Sequence, residues 1–180
     1  MWGCSSSAEA PTDLAAMTQV YVSIGSNLDP KRHILSGVSM LEATFAPVTR
    51  SPVYANPAVG FVGEDFYNLV VGFETTLSVA ALVARLRAIE HAHGRHRGEM
   101  KFASRTLDLD LLTYGDQVSE TPGLTLPHHD ILAYPFVLKP LADIAPHAYH
   151  PATRESYAEL WRQRDTADES MVLIPDFFTL

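Results

Sequence analysis

The stretch RTLDLDLLTYG, at positions 105–115, sets the strongest limit on how this chain folds. Side chains on a β-strand alternate between its two faces, so its first three leucines share one face while Asp108 and Asp110 share the other. Same-face neighbours on a strand lie roughly 7 Å apart, and two carboxylates at that separation repel each other. The pattern therefore predicts a half-buried strand with a cation close to its acidic face.

The length and composition favour one domain. A chain of 180 residues that is 47% hydrophobic can bury one ordinary core, so we expect residues 17–180 to form a single domain. Residues 1–16 are small, polar and without periodicity, which predicts a disordered N-terminal extension. The single cysteine, Cys4, excludes an internal disulfide framework and a Cys-rich zinc site. It fits a reducing compartment, so the expected localisation is cytoplasmic.

The overall charge limits the classes of partner. A net charge of −8 argues against a general binder of nucleic acid or of membrane surfaces, because both need positive charge. No run reaches the roughly 18 apolar residues of a membrane span, and the N-terminus lacks the basic and apolar regions of a signal peptide. Any basic site is therefore local.

Periodicity predicts alternating strands and helices. Apolar residues at helical spacing predict helices over residues 31–45 and 79–93, the first of them capped by Asp29 with Pro30 at its first position. Pro52 indicates an edge or a bulge in the second predicted strand. Strands are predicted at residues 19–24, 47–55, 66–74 and 105–115, a mobile loop at 94–104, and later helices near 136–144 and 154–161.

The order of these elements predicts the fold class. A β-α-β, β-α-β succession indicates an α+β protein with a ferredoxin-like core, in which a mainly antiparallel sheet is covered by helices in an αβα sandwich. The apolar tail MVLIPDFFTL is expected to dock as an extra edge strand or across a partner. Strand order does not follow from the sequence.

The two aspartates have two interpretations, a solvated strand face and a divalent cation site. Mg²⁺ prefers carboxylates combined with water and substrate phosphate, so Asp108 and Asp110 suffice if a nucleotide supplies the other oxygens. Four cations lie just upstream in an otherwise acidic protein: Arg95, Arg97, Lys101 and Arg105. A basic loop can be merely solvated, but beside paired carboxylates it favours phosphoryl transfer, which depends on charge neutralisation and alignment.

Other chemistries have weaker support. The chain has no GxxxxGK[ST] sequence, which disfavours a P-loop ATPase, and no GxSxG elbow, although composition alone does not exclude a Ser-His-Asp hydrolase. Attraction to a helix C-terminus explains His91, His93 and His96 without a zinc ion. His128 and His129, in LPHHD, are either structural or donors to phosphate oxygens.

Five stretches together resemble the 6-hydroxymethyl-7,8-dihydropterin pyrophosphokinase family. They are YVSIGSNL, FYNLVVGFET, IEHAHGRHR, KFASRTLDLDLL and LPHHDI…FVLKPLADIAP, which occur in family order over residues 18–146. The resemblance implies transfer of a pyrophosphoryl group from ATP to the pterin alcohol in folate biosynthesis, which gives AMP and the pterin diphosphate. It also implies a monomer that acts on small molecules.

The resemblance implies roles for individual residues. Four residues are implied to be catalytic. Asp108 and Asp110 are expected to hold two magnesium ions, and Arg95 and Arg105 to act on the phosphates. The ATP-binding residues implied are Glu90, Arg97, Lys101 and His128. The pterin-binding residues implied are Asn68, Phe66, Phe136, Asn56 and Val59. An Asn offers a donor and an acceptor to a polar ring edge, and aromatic side chains stack on a flat ring.

Several positions depart from the family pattern, among them Asn56, which replaces a common Thr, and two departures bear on transfer. Phe102 stands where the family commonly has Trp, and Tyr134 where many members have an Arg that reaches the nucleotide. These departures support an alternative, a divergent paralogue that binds pterin or nucleotide with little or no transfer. A weaker alternative is a metal-dependent phosphohydrolase that uses the same aspartates.

Overall fold

The strand that carries Asp108 and Asp110 lies at one edge of the main sheet. The structure is a computed structural model that describes residues 16–94, 104–164 and 170–179. The predicted N-terminal extension, except position 16, and most of the predicted loop at 94–104 lie outside these ranges. The strands are β1 (Thr18–Ser26), β2 (Thr49–Arg50), β3 (Val53–Asn56), β4 (Phe66–Thr75), β5 (Asp108–Tyr114), β6 (Ser119–Thr121), β7 (Leu124–Leu126) and β8 (Val172–Ile174). The helices are α1 (Pro30–Phe45), α2 (Val79–Ala92), α3 (Asp130–Ala133), α4 (Pro135–Ile144) and α5 (Tyr157–Gln163).

The main sheet is antiparallel at every pairing that the structure describes. Its order is β5-β1-β4-β3-β8, with β2 also paired to β4, while β6 and β7 form a separate hairpin. Elements β1, α1, β3, β4, α2 and β5 follow the βαββαβ order of a ferredoxin-like core. The predicted α+β class with a mainly antiparallel sheet is confirmed.

Each face of the sheet has its own hydrophobic core. Helices α1 and α2 cover one face, where Ile34, Leu41 and Leu86 pack against strand residues such as Val22. Helices α3, α4 and α5 supply most of the second core, in which Leu141 packs with residues of β4 and β5. The sandwich of helices on both sides of the sheet is confirmed, and none of the helices in the described ranges is long and apolar enough to cross a membrane.

The second predicted strand, at residues 47–55, is interrupted where Pro52 was expected to disturb it. The structure divides the segment into β2 and β3, and Ser51 between them bonds to Val70 of β4 through both its backbone and its side chain. Strand β3 is not an edge, because β8 pairs along its other side. The tail prediction of an extra edge strand is thereby confirmed for Val172–Ile174.

Two helix starts differ in detail from their predictions. Asp29 precedes α1 as expected, but it has φ 45° and its side chain makes no capping hydrogen bond. The last helix begins at Tyr157 rather than at Arg154, because Arg154 is left-handed with φ 63° and Ser156 supplies the cap by accepting from the Glu159 N–H.

Candidate functional site

A cleft of about 290 Å³ opens at one end of the sheet face that α4 covers. Under α4 this face is apolar, with Val70 and Leu112 buried in the second core. Beyond the helix the same face of the sheet presents Ser23, Asn68 and Asp110 to the cleft. The change from apolar to polar side chains therefore marks the point where helical cover ends.

Strand β5 presents its aspartates as the sequence predicted. Leu107, Leu109 and Leu111 are at most 5% exposed in the first core, whereas Asp108 and Asp110 line the cleft on the opposite face. The two aspartates pair with Gly25 and Ser23 of β1. Further along, the register between the strands shifts by one residue, which leaves an extra residue in β5 and ends the regular alternation.

Arg105 supplies the cation that the carboxylate pair requires. Its guanidinium forms an ion pair with Asp108, and the two side chains are only 15% and 18% exposed. Arg105 lines the cleft together with both aspartates. Asp108 therefore already binds a positive charge, and the two aspartates place carboxylate oxygens on one strand face. This set of oxygen donors suits a hard divalent cation such as Mg²⁺.

The pterin-binding residues predicted from the resemblance line the same cleft. Asn56, Asn68 and Phe66 come from β3 and β4, while Val59 lies in the segment between those strands and Phe136 in α4. Asn56 and Asn68 are 7% and 5% exposed, and Val59 is 44% exposed at the rim. The structure thus gathers residues that are 80 positions apart in the sequence.

One aromatic residue of the cleft was missed by the sequence analysis. Phe61 meets Phe66 edge to face, with ring centroids 6.2 Å apart, and both rings line the cleft. Its signal in the sequence was an aromatic residue in a segment otherwise rich in glycine and turn formers. A flat ring is well suited to such a wall.

A second cleft, of about 510 Å³, adjoins the first along β5. Asp110, His128 and His129 line both clefts, and Glu90 and Arg87 of α2 line the second. Glu90 is 8% exposed, and its Oε1 accepts a hydrogen bond of 2.8 Å from the Leu109 N–H, so this carboxylate also fastens α2 to β5. Arg87, one turn before His91, is a cation that the sequence analysis did not single out.

The histidines of LPHHD form a compact polar group at the junction of the clefts. The Leu112 carbonyl accepts from the His128 N–H at 2.7 Å, which anchors the turn to β5. The two imidazole rings stack with centroids 4.7 Å apart, and His129 Nε2 lies 2.9 Å from Asp130 Oδ1. Ligand atoms of the two histidines and Asp130 all lie within 4.8 Å of one another, so this group could also hold a cation.

Tyr134, where the resemblance implies an Arg in many members, contributes an aromatic wall. Its ring stacks on Phe136 with centroids 5.0 Å apart and planes 16° apart, and both rings line the cleft. Arg95, Arg97 and Lys101, with Phe102, lie outside the described residues.

Asn27 is a third residue that the sequence analysis missed, although it stands in the quoted stretch YVSIGSNL. It is 3% exposed. Its Oδ1 accepts from the Arg105 N–H at 2.7 Å, and its Nδ2 lies 3.2 Å from both the Glu64 carbonyl and Ser104 Oγ. One side chain therefore joins the segment before β5 to the segment before β4.

Comparison with known proteins agrees with this arrangement. Residues 21–146 match the family model described as 7,8-dihydro-6-hydroxymethylpterin-pyrophosphokinase (HPPK). A 2-amino-4-hydroxy-6-hydroxymethyldihydropteridine pyrophosphokinase of Pseudomonas aeruginosa is 40% identical over 134 residues, which cover 71% of this chain and 81% of that protein. A protein of the same name from Synechocystis sp. is 37% identical over 160 residues, covering 87% of this chain and 82% of that protein.

Solved structures support the fold. The wild-type HPPK-DHPS of Plasmodium falciparum with STZ-DHP superposes with a TM-score of 0.63 at 12% identity. The match covers 82% of this chain and 41% of that longer one, so this likeness concerns the fold alone. The family model and the relatives together show that the chain belongs to the 7,8-dihydro-6-hydroxymethylpterin-pyrophosphokinase family.

Proposed function

We propose that the two adjoining clefts bind the substrates of the reaction that this family catalyses. The protein transfers a pyrophosphoryl group from ATP to 6-hydroxymethyl-7,8-dihydropterin in folate biosynthesis, which is the reaction of its family. The pterin hydroxyl oxygen forms a bond to the β-phosphorus, the bond from that phosphorus to the oxygen of the α-phosphate breaks, and AMP leaves. The hydroxyl proton is released. The comparisons give no support to the alternative of binding without transfer.

One observation carries the assignment of the site. The carboxylates of Asp108 and Asp110, with Arg105 beside them, open into the same cleft as a buried amide, Asn68, and an aromatic wall. Phosphoryl transfer needs charge neutralisation next to a pocket that orients the acceptor alcohol. The cleft combines both requirements.

Each side chain then has a role that its position suits. Asn68 and the rings of Phe66 and Phe136 orient the pterin through its polar edge and its faces. Arg105 stabilises negative charge that develops on the transferring group. Glu90 and His128 line the second cleft, which we assign to ATP. Arg95, Arg97 and Lys101 are proposed as further phosphate ligands from the resemblance alone.

Magnesium is part of the proposal. Asp108 and Asp110 would hold two Mg²⁺ ions, because their carboxylates share one strand face and point into the cleft. Bound Mg²⁺ supplies neutralisation of phosphate charge and favours loss of a proton from a nearby hydroxyl.

The state of the protein in the cell is also proposed. We infer that it acts as a monomer in the cytoplasm and that residues 17–180 form one unit. Support for a single unit comes from β8, which joins the main sheet at its far edge.

Release of AMP from ATP, with the pterin alcohol and Mg²⁺ present, tests the function directly. We expect pterin-dependent AMP from the wild type, and a loss of about 10²-fold or more in kcat for Asp110→Asn, because a charged ligand for the phosphate-bound cation is removed. Asp116→Asn is the matched control, since Asp116 is an exposed residue outside both clefts.

The same assay distinguishes the competing outcomes. Absence of pterin-dependent AMP from the wild type contradicts the function. Release of inorganic phosphate without any acceptor alcohol favours a phosphohydrolase instead. Full activity of Asp110→Asn leaves the function standing but removes the proposed role of that carboxylate.

A further inference from the structure

Two buried amides, Asn56 and Asn68, form a hydrogen-bonded pair at the base of the cleft. They lie on the neighbouring strands β3 and β4, and each is less than 8% exposed. Asn68 Nδ2 donates to Asn56 Oδ1 at 2.6 Å. Asn56 Nδ2 in turn donates to the Pro57 carbonyl at 2.9 Å. The three groups therefore form a chain that ends at the backbone.

The Pro57 carbonyl fixes the direction of these two hydrogen bonds. A backbone carbonyl can only accept, so the Asn56 atom that faces Pro57 has to be Nδ2. Asn56 Oδ1 then faces Asn68, and the Asn68 atom that meets it has to be a donor. A reversed Asn68 would place two acceptor oxygens 2.6 Å apart with no proton between them.

The other end of the Asn68 amide faces the cleft. Its Oδ1 lies over Gly25, where an added Cβ would stand only 2.9 Å away, and both residues line the cleft. Asn68 has four hydrogen-bonding positions, of which the pair uses one N–H. A ligand at this end consequently meets a fixed acceptor, Oδ1, beside the remaining N–H.

We propose that Asn56 is a positioning residue, which sets the hydrogen-bonding polarity of Asn68 and thereby selects a ligand edge with an N–H donor opposite Oδ1. The proposal rests on the proposed function, in which Asn68 binds the pterin. The polar edge of a pterin carries N–H groups and a carbonyl side by side, so an amide of fixed polarity accepts it in one register. An amide free to reverse loses part of that preorganisation before the ligand binds.

The contrast between Asn56→Leu and Asn56→Asp tests the proposal. Leucine matches the size of Asn but offers no acceptor, so the Asn68 N–H is unsatisfied and its amide can reverse. We expect KM for the pterin to rise about tenfold, with a smaller change in kcat and none in KM for ATP. Aspartate presents an acceptor to Asn68 whether ionised or protonated, so Asn56→Asp is expected to lose less pterin affinity than Asn56→Leu.

If Asn56 had only a structural role, Asn56→Asp would lose more pterin affinity than Asn56→Leu. In that case Asn56 would serve only to hold the backbone through the Pro57 carbonyl. An ionised Asp would repel that carbonyl oxygen and would therefore harm binding more than leucine does. Observing that order, or an equal rise in KM for both substrates, overturns the proposal. Ser51→Ala is the matched control, because Ser51 is also buried and bonds to β4, at Val70, but it does not line the cleft. It should lower Tm without changing KM for the pterin.

A double-mutant cycle separates this inference from the proposed function. In an Asn68→Ala background, Asn56→Leu should produce no further rise in KM for the pterin, since no amide is left to orient. Full additivity of the two substitutions contradicts the inference. A wild type that shows no pterin-dependent AMP release contradicts the function instead, so the two failures are distinguishable.

Discussion

Gly25 lies at the meeting point of three parts of the cleft. A Cβ at this position would stand 2.9 Å from Asn68 Oδ1, 3.8 Å from the Phe66 ring and 4.0 Å from Asp108 Cβ. Its backbone is that of an ordinary strand residue paired with Asn68 on β4. The requirement for glycine here is therefore one of space in the site, because any side chain displaces the Asn68 amide.

Gly25→Ala should consequently damage binding more than folding. We expect KM for the pterin to rise about tenfold or more, because overpacking displaces Asn68, while KM for ATP changes less. Steady-state kinetics with each substrate varied in turn measures this. Gly72→Ala is the control, since its Cβ would stand 2.9 Å from Tyr21 Cε1 outside the cleft. A similar effect of both substitutions on KM for the pterin would contradict this reading.

At the residue scale, the sequence predicted the functional side chains whose positions follow the two-residue period of a strand. The alternation of leucine and aspartate was enough to place Asp108 and Asp110 on one face. Asn27, Phe61 and Arg87 lie outside such an alternation, and Asn27 owes its importance to a neighbour distant in sequence. Asn27 is 78 positions from its partner Arg105.

At the scale of elements, β5 belongs to both cores. Leu109 and Leu111 enter the core under α1 and α2, whereas Leu112 enters the core under α4. Regular alternation already places Leu112 on the face of Asp108 and Asp110. The departure comes after the register shift opposite Tyr21 and Val22, where Tyr114 packs against the first core although alternation would place it in the second. Such a shift depends on pairing with β1, so strict alternation along β5 could not reveal it.

The C-terminal segment illustrates a second limit of sequence reasoning. Its apolar composition predicted an additional edge strand, yet the partner of that strand is β3, more than 100 residues earlier. Phe177 follows β8, is 6% exposed and contacts the Tyr67 ring at a centroid distance of 6.0 Å. The segment is thereby attached to the first core.

Removing this attachment should cost stability. We expect Phe177→Ala to lower the free energy of unfolding by about 3 kcal/mol, because a large buried ring is deleted. Urea unfolding followed by tryptophan fluorescence or circular dichroism measures the loss. Leu173→Ala, at a side chain that is 51% exposed in β8, should change it by less than about 0.5 kcal/mol. Equal losses would show that the ring is not the attachment.

At the scale of the whole molecule, a buried histidine links stability to pH. His150 is 3% exposed, and its Nδ1 accepts from the Thr153 N–H at 3.2 Å. Burial lowers the pKa of His150 below its ordinary value of 6.5, against a smaller opposing effect of Glu155. The unfolded chain therefore binds a proton at a higher pH than the folded chain does.

The sign of the pH dependence follows from this difference. As pH falls from about 6.5, the unfolded state gains protons first, so the free energy of unfolding decreases. We expect His150→Gln to flatten this decrease between pH 7 and pH 5 in urea unfolding. Part of the slope should remain, because the pKa of His33 is also lowered, by burial and by His93 and Arg32. A slope that the substitution leaves unchanged or makes steeper contradicts the prediction.

The three contacts of Asn27 have a consequence for how the two substrates bind. Asn27 does not line the first cleft, yet it connects Arg105, which lines that cleft beside the aspartates, with Glu64 in the segment between β3 and β4 that carries Val59 and Phe61. If either ligand orders its own side, the shared amide lowers the entropic cost of ordering the other. Thermodynamic linkage then requires each ligand to raise the affinity for the other by one common factor.

Calorimetric titration of the pterin, with and without a non-hydrolysable ATP analogue, measures that factor. We expect tighter pterin binding when the analogue is present, and a ratio closer to one for Asn27→Ala. Equal ratios for the two proteins would argue against linkage through this residue. Cooperation between the substrates would thus depend on a side chain that lies beside neither of them.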